Sequence, residues 1–146
     1  MTVREIMSRQ VLTCERTTPL DVVARKMVEG DCGMIPIVDE NDHPIGAVTD
    51  RDITCRSVAK RLDPRTLTAG DVMTSPCVTV PENAPIKECA RILGSQRIRR
   101  AVVVDSGGQC VGVISQADLA QKALGDRAGE LVRQVSQPTE SASRVS

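Results

Sequence analysis

The sequence predicts an α/β (α+β) chain built as a tandem β-α-β-β-α repeat, two half-sized units packed about a pseudo-two-fold axis. Three observations predict it. The chain is written twice: a shift of 66 positions carries Met7 onto Met73, Thr13 onto Thr79, Pro19 onto Pro85 and Ala24 onto Ala90. The same shift carries Asp39 onto Asp105, Gly46 onto Gly112 and Asp52 onto Asp118, without a gap. Each copy also holds an apolar set at helical spacing behind a proline, and a short continuous apolar run that suits a strand buried on both faces. A gapless repeat of this length is one supersecondary unit used twice. Two such units bury their apolar faces against each other, and the groove between them is the natural place for a ligand.

The elements follow in order. Residues 11–13 form a short strand. Thr18 and Pro19 open a helix, with proline at an early position where its missing N–H costs nothing. Leu20, Val23, Ala24, Met27 and Val28 then recur at i, i+3, i+4, i+7 and i+8, giving one apolar face. Ile86, Cys89, Ala90 and Leu93 repeat this behind Pro85. Residues 34–38 and 100–104 are the buried strands, and the polar runs 39–42 and 105–108 are turns. Residues 44–48 and 110–114 return as the second strands of two hairpins, with His43 a solvated loop residue. Each hairpin runs into a second helix, through 49–52 and 115–118, ending near 61–62 and 124–125. The linker is 64–69. The expected organisation is therefore a first repeat over 1–65, a second over 66–125, and a C-terminal helix turn with a disordered tail over 126–146.

Composition narrows the function. The 146 residues carry no net charge, which argues against a nucleic-acid binder needing a basic face. There is no Phe, Tyr or Trp, so no aromatic platform exists for stacking bases, and any flat ligand is sandwiched between aliphatic side chains. The N-terminus has no signal-peptide stretch and the apolar runs are too short to span a bilayer, so the expected compartment is the cytoplasm, away from membranes. The six cysteines, Cys14, Cys32, Cys55, Cys77, Cys89 and Cys110, form no C-x-x-C pair, and none maps onto another by the repeat. They read as small buried hydrophobes in a reducing compartment rather than as a zinc site. One loop histidine and scattered thiols offer no catalytic dyad, so no enzyme is expected.

The sharpest local pattern is Gly-x-x-(Thr/Ser)-x-x-Asp at a strand-to-helix corner: Gly46, Thr49, Asp52 and again Gly112, Ser115, Asp118. As a ligand site, the glycine admits close backbone approach, the hydroxyl and free N–H groups hold an anion, and the carboxylate accepts from ribose hydroxyls. As plain architecture, Thr/Ser with an acidic residue three positions on is a capping box. The pattern alone leaves both open.

With the runs 71–74 and 97–105 and the two corners, nearly all of residues 4–124 resembles a pair of cystathionine-β-synthase (CBS) domains, the arrangement called a Bateman module. In its brevity the chain is similar to small stand-alone bacterial CBS-pair proteins. The resemblance implies two pseudo-symmetric clefts that bind adenosine nucleotides or related adenosyl compounds as regulatory ligands, with no cofactor required. Carried over by motif, Asp52 and Asp118 would hold ribose hydroxyls, and Thr49 and Ser115 would lie by ribose or phosphate. The strands beginning at Met34-Ile35 and Arg100-Ala101 would wall the adenine, and Arg99 and Arg100 would touch phosphate. It also implies a homodimer through helical faces, signalling to a separate effector protein. The copies differ at Arg97, Arg99 and Arg100, which match Asp31, Gly33 and Met34, and at Arg51, which matches Ala117. The clefts are therefore not electrostatically equivalent. The competing expectation is a structural homodimer with no small ligand, its Asp and Thr/Ser residues only capping helices.

Overall fold

The computed structural model describes residues 1–9 and 11–126, so the expected tail lies outside the described residues. Helix α1 spans Val3–Ile6 and α2 spans Leu20–Gly30. Strands β1 (Met34–Val38) and β2 (Pro44–Thr49) pair antiparallel, and α3 (Asp50–Ile53) follows, widening into a π-helical turn over Thr54–Val58. The second unit repeats the order: α4 (Ala69–Val72), β3 (Thr79–Pro81), α5 (Ile86–Gln96), β4 (Arg100–Val104), β5 (Cys110–Ser115) and α6 (Gln116–Asp126). Strands β4 and β5 pair antiparallel, with β3 parallel at the edge of β4. This is the expected α+β repeat. None of the described helices is long and apolar enough to cross a membrane.

The buried stripe of α2 is Leu20, Val23 and Met27, and that of α5 is Cys89 and Leu93. Val28, expected on the apolar face, is 81% exposed. At 3.6 residues per turn it sits about 80° round from Leu20 and farther still from Val23, off the stripe. Both helices stop at a residue in the left-handed conformation, Asp31 (φ 48°) and Arg97 (φ 56°), whose N–H groups close the last turn. The expected strand over 11–13 is reduced to one parallel bridge between Cys14 and Ile37, where the second copy has a full strand. The helix expected to reach 61–62 ends at Val58. Arg61 turns left-handed (φ 59°), and the buried Ser57 hydroxyl donates to the Leu62 carbonyl at 3.1 Å.

The two units share a core and exchange their leading segments. One apolar cluster gathers Leu20, Val23, Ile35, Ile37 and Val48 of the first unit with Ala69 and Val72 of α4. The other gathers Val80, Leu93, Val103 and Ile114 with Val3 of α1. A third, of Met34, Ala47 and Val102 with Cys77, Cys110 and Val113, joins the two sheets. Each short helix thus packs on the opposite copy. Thr74 and Ala47 exchange backbone hydrogen bonds at 2.9 and 3.0 Å, and Ser8 and Val113 at 2.9 and 3.1 Å.

This crossing explains the two corner glycines. A Cβ at Gly46 would lie 2.7 Å from Met73 Sδ and 2.8 Å from the Thr74 carbonyl, and at Gly112, 2.6 Å from Met7 Sδ and 2.8 Å from the Ser8 carbonyl. The glycines admit the crossing backbone, not a ligand, which corrects the expectation. Near the pseudo-two-fold axis the hairpin tips also touch. The Cys110 N–H donates to the Asp42 carbonyl at 2.9 Å, and His43 Nε2 lies 3.0 Å from the Gly107 carbonyl. His43 is thus half-exposed and held, rather than freely solvated.

Gly46→Ala and Gly112→Ala should each lose about 1–3 kcal/mol of unfolding free energy in urea, because backbone cannot yield to the new methyl. Gly94→Ala, in the interior of α5 with open space around it, should instead gain about 0.5–1 kcal/mol. Burial pushes the thiols of Cys14, Cys77, Cys89 and Cys110 up. Unfolded thiols ionise near about pH 8.5 while these folded ones stay neutral, so their contribution is intact below that value and is lost as pH rises above it. Urea midpoints should fall across that window. Mass-resolved iodoacetamide labelling of the native protein at neutral pH should mark the exposed Cys32 and Cys55 well before Cys14 and Cys89.

Candidate functional site

Between the repeats lies a cleft of about 590 Å³, inside the range of roughly 300–1,000 Å³ usual for small-molecule sites. Its walls are aliphatic: Met34 at the start of β1, Ala47 on β2, Ala101 and Val102 on β4, with Val78 and Ile98 beside them. Met34, Ala47 and Val102 project from the sheet faces that meet at the inter-repeat cluster, while Ala101, Val78 and Ile98 pack with the second unit's own core and edge the cleft from there. The rim is polar, with Thr49, Asp50 and Arg51 at the first corner, Thr74 on the crossing segment, and Arg97, Arg99 and Arg100 leading into β4.

The corner itself is a complete capping box. Thr49 Oγ1 accepts from the Asp52 N–H at 3.1 Å, and Asp52 Oδ2 accepts from the Thr49 N–H at 2.9 Å. Asp52 is 8% exposed, and its Oδ1 accepts from the Thr74 hydroxyl at 3.3 Å. The carboxylate therefore ties the corner to the crossing segment. The second corner is built alike: Asp118 Oδ2 accepts from the Ser115 N–H at 2.9 Å, and Ser115 Oγ accepts from the Asp118 N–H at 3.0 Å.

Charge divides the two sides. Among the described residues, none of Arg51, Arg97, Arg99 and Arg100 makes an ion pair. Arg100 Nη1 reaches the Gly33 carbonyl across the repeats at 3.4 Å, and the same carbonyl accepts the Asp50 N–H at 3.0 Å. A Cβ at Gly33 would stand 2.7 Å from Arg100 Nη2 and 3.1 Å from Asp50 Oδ2, so this glycine gives the guanidinium its seat. On the pseudo-equivalent side the repeat supplies Asp31, Gly33, Met34 and Ala117 in place of the four arginines.

Of the residues singled out in the sequence, Met34, Thr49, Arg51, Arg99, Arg100 and Ala101 meet in this cleft. Asp52 sits beneath its corner. Ile35 is fully buried and belongs to the first repeat's core, because it alternates away from Met34 along β1. Ser115 and Asp118 lie at the other corner, where Asp118 borders a shallower depression of about 250 Å³ with Glu5, Ile6, Gln121 and Lys122. Sequence reasoning missed the lining contributed by Thr74, Pro76, Cys77 and Val78: the segment exchange seats Thr74 on Ala47, and Val78 is held beside β4, where its carbonyl accepts the Val102 N–H. Arg97 and Ile98 carried a signal, standing three and two residues before the strand already singled out. Among the described residues no group of three or more His, Cys, Asp or Glu side chains is placed to hold a metal ion.

A duplicated α+β unit whose halves close on a shared, ligand-sized cleft defines a Bateman-type module. The chain belongs to the CBS domain family, whose profile matches residues 3–57 and 69–125. It is 35% identical over 120 residues to hypoxic response protein 1 of Mycobacterium tuberculosis, covering 82% of this chain and 83% of that protein. The crystal structure of that protein, with two coordinated zinc ions, superposes with a TM-score of 0.74 at 33% identity, over 83% of this chain and 98% of the other. An uncharacterised protein of Methanopyrus kandleri is 33% identical over 83% of this chain, which spans 62% of that protein's length. The fold is also that of CBSX2, solved in complex with AMP (TM-score 0.73, 23% identity, 86% of this chain and 98% of the other).

Thr49→Ala should lower the unfolding free energy by about 1 kcal/mol through the lost cap. Arg51→Ala, exposed and without an ion pair among the described residues, should shift it by less than about 0.5 kcal/mol. Urea denaturation of both variants separates the corner's architecture from its charge.

Proposed function

We propose that this chain is a non-catalytic sensor that takes one adenosine nucleotide in the cleft between its repeats. The observation that carries this reading is the pairing of an aliphatic slot with a rim of four arginines that find no carboxylate partner among the described residues. A slot walled by Met34, Ala47, Ala101 and Val102 suits a flat purine, and guanidinium groups suit phosphate. Thr49 stands beside the ribose or phosphate. Asp52 offers the ribose hydroxyls its Oδ1, whose partner among the described residues is the Thr74 hydroxyl. CBSX2, a CBS pair of this fold, has been crystallised with AMP, which supports the same ligand class here. Ser115 and Asp118 form the matching corner, where Asp118 borders the shallower depression with Glu5, Ile6, Gln121 and Lys122 and no arginine contributes, so one ligand per chain is the expected stoichiometry.

The chain works as a homodimer in the cytoplasm. Val28 on α2 and Val58 after α3 are 81% and 65% exposed, and pairing helical faces would cover them. The ligand biases the shape of a surface read by a separate effector protein.

The competing reading, an interaction dimer with no ligand, draws support from the two completed capping boxes, which give both aspartates a structural task. Two variants separate them. Asp118→Ala should cost about 1 kcal/mol of stability and leave nucleotide affinity unchanged. Asp52→Ala should cost a similar amount and weaken nucleotide binding about tenfold, the scale of one lost hydrogen bond to a charged group. Having no Trp or Tyr, the folded protein is nearly transparent in the near ultraviolet, so a co-purified purine would appear as a band released on denaturation. Two equal, independent sites by calorimetry would overturn the single-ligand stoichiometry, and no binding with no purine band would overturn the sensor reading. Light scattering should return twice 15.7 kDa.

A further inference from the structure

The rim carries more positive charge than one phosphate group can use. We infer that the cleft selects a nucleotide with a chain of two or more phosphates over a monophosphate, and over uncharged or cationic adenosyl compounds. This rests on the nucleotide reading above and sharpens it.

Four guanidinium groups, from Arg51 at one corner and Arg97, Arg99 and Arg100 at the other wall, face one carboxylate, Asp50. Among the other described arginines, Arg4, Arg25, Arg65 and Arg91 pair with carboxylates, while Arg9, Arg16, Arg56 and Arg61 do not. What sets the cleft's four apart is that all of them line one concavity. A terminal phosphate carries about −1.5 to −2 charge and three acceptor oxygens, enough to occupy two forked guanidinium groups. Engaging the remainder requires further phosphates along the rim.

Arg97 adds an independent observation. It ends α5 in the left-handed conformation at φ 56°. The equivalent position in the first copy holds Asp31 at φ 48°, a residue type that tolerates this backbone far better. Arginine brings no conformational advantage at that turn. What it brings is a long cationic side chain at the cleft mouth. The same logic disfavours a sulfonium ligand such as S-adenosylmethionine, whose positive charge would enter an already cationic rim.

The experiment is calorimetric titration of the full-length chain with AMP, ADP, ATP, GTP, inorganic tripolyphosphate and S-adenosylmethionine, at about 0.15 M salt and without divalent cations. Affinity should rise from AMP through ADP to ATP, by about tenfold overall, one further charge-assisted contact being worth that much. It should also fall as salt is raised. The double variant Arg97→Gln/Arg99→Gln, both side chains exposed, should lose about tenfold for ATP and far less for AMP. Arg51→Gln, on a separate element, should show the same bias if the double variant folds poorly. AMP binding as tightly as ATP, or S-adenosylmethionine binding more tightly than either, overturns the inference and leaves the adenosine reading standing. Equal binding of ATP and GTP removes adenine from the reading and keeps the inference, whereas tripolyphosphate binding as tightly as ATP overturns both. Binding by none of the six overturns both.

Discussion

The architecture depends on one close approach, the passage of a backbone segment over a glycine in the opposite repeat. Met73 and Thr74 lie against Gly46, and Met7 and Ser8 against Gly112, at distances that leave no room for a β-carbon. This contact seats α4 on the first core and α1 on the second. It also delivers Thr74, Pro76, Cys77 and Val78 to the cleft, supplying a wall that neither repeat has by itself. A side chain at either glycine would separate the ladder hydrogen bonds that join strand to crossing segment. Site and fold therefore share one steric condition.

The backbone obeys the pseudo-symmetry closely while the side chains depart from it. Both hairpins carry a register shift at the same place, between Ile37 and Val38 and between Val103 and Val104. Helices α2 and α5 both end in a left-handed residue, and both corners complete the same cap. Hydrogen-bonding geometry repeats because the same buried backbone groups need partners in each copy. Charge at the cleft mouth is under no such requirement, since solvated side chains change without touching the core. Positions 51, 97, 99 and 100 are thus arginines, while their repeat equivalents are Ala117, Asp31, Gly33 and Met34, of which Gly33 and Met34 themselves lie against the arginine cleft.

Much of this was legible in the sequence. The strands Met34–Val38 and Arg100–Val104 could be read because Met34–Val38 and the four residues after Arg100 are apolar without interruption, and the structure gives them those bounds. The buried positions Leu20, Val23 and Met27 followed from helical spacing, while Val28 did not, because an eight-residue step drifts off the stripe. Helices α1 and α4, four residues each, are too short for periodicity to register. Their signal lay in Thr2-x-x-Glu5 and Thr68-x-x-Asp71, where the carboxylate accepts the N-cap N–H at 2.6 and 2.8 Å. The exchange was not legible, since contacts between residues as far apart as Val3 and Ala84 leave no local trace. For the same reason Gly46 read as room for a ligand when its neighbour is protein. At the cleft, Arg99, Arg100 and Ala101 could be placed from the strand they open, whereas Thr74 to Val78 could not.

The crossed segments have a bearing on how such a chain arises. An arm that must leave its own repeat to find a seat closes equally well onto a second, separate polypeptide carrying a single repeat. The ancestral object is then a symmetric pair of short chains holding each other by the arms, assembled only above some threshold of abundance. Fusing the two genes makes that embrace internal and independent of dilution. It also ends the obligation of the two halves to be identical, which a two-chain form with one gene can never escape.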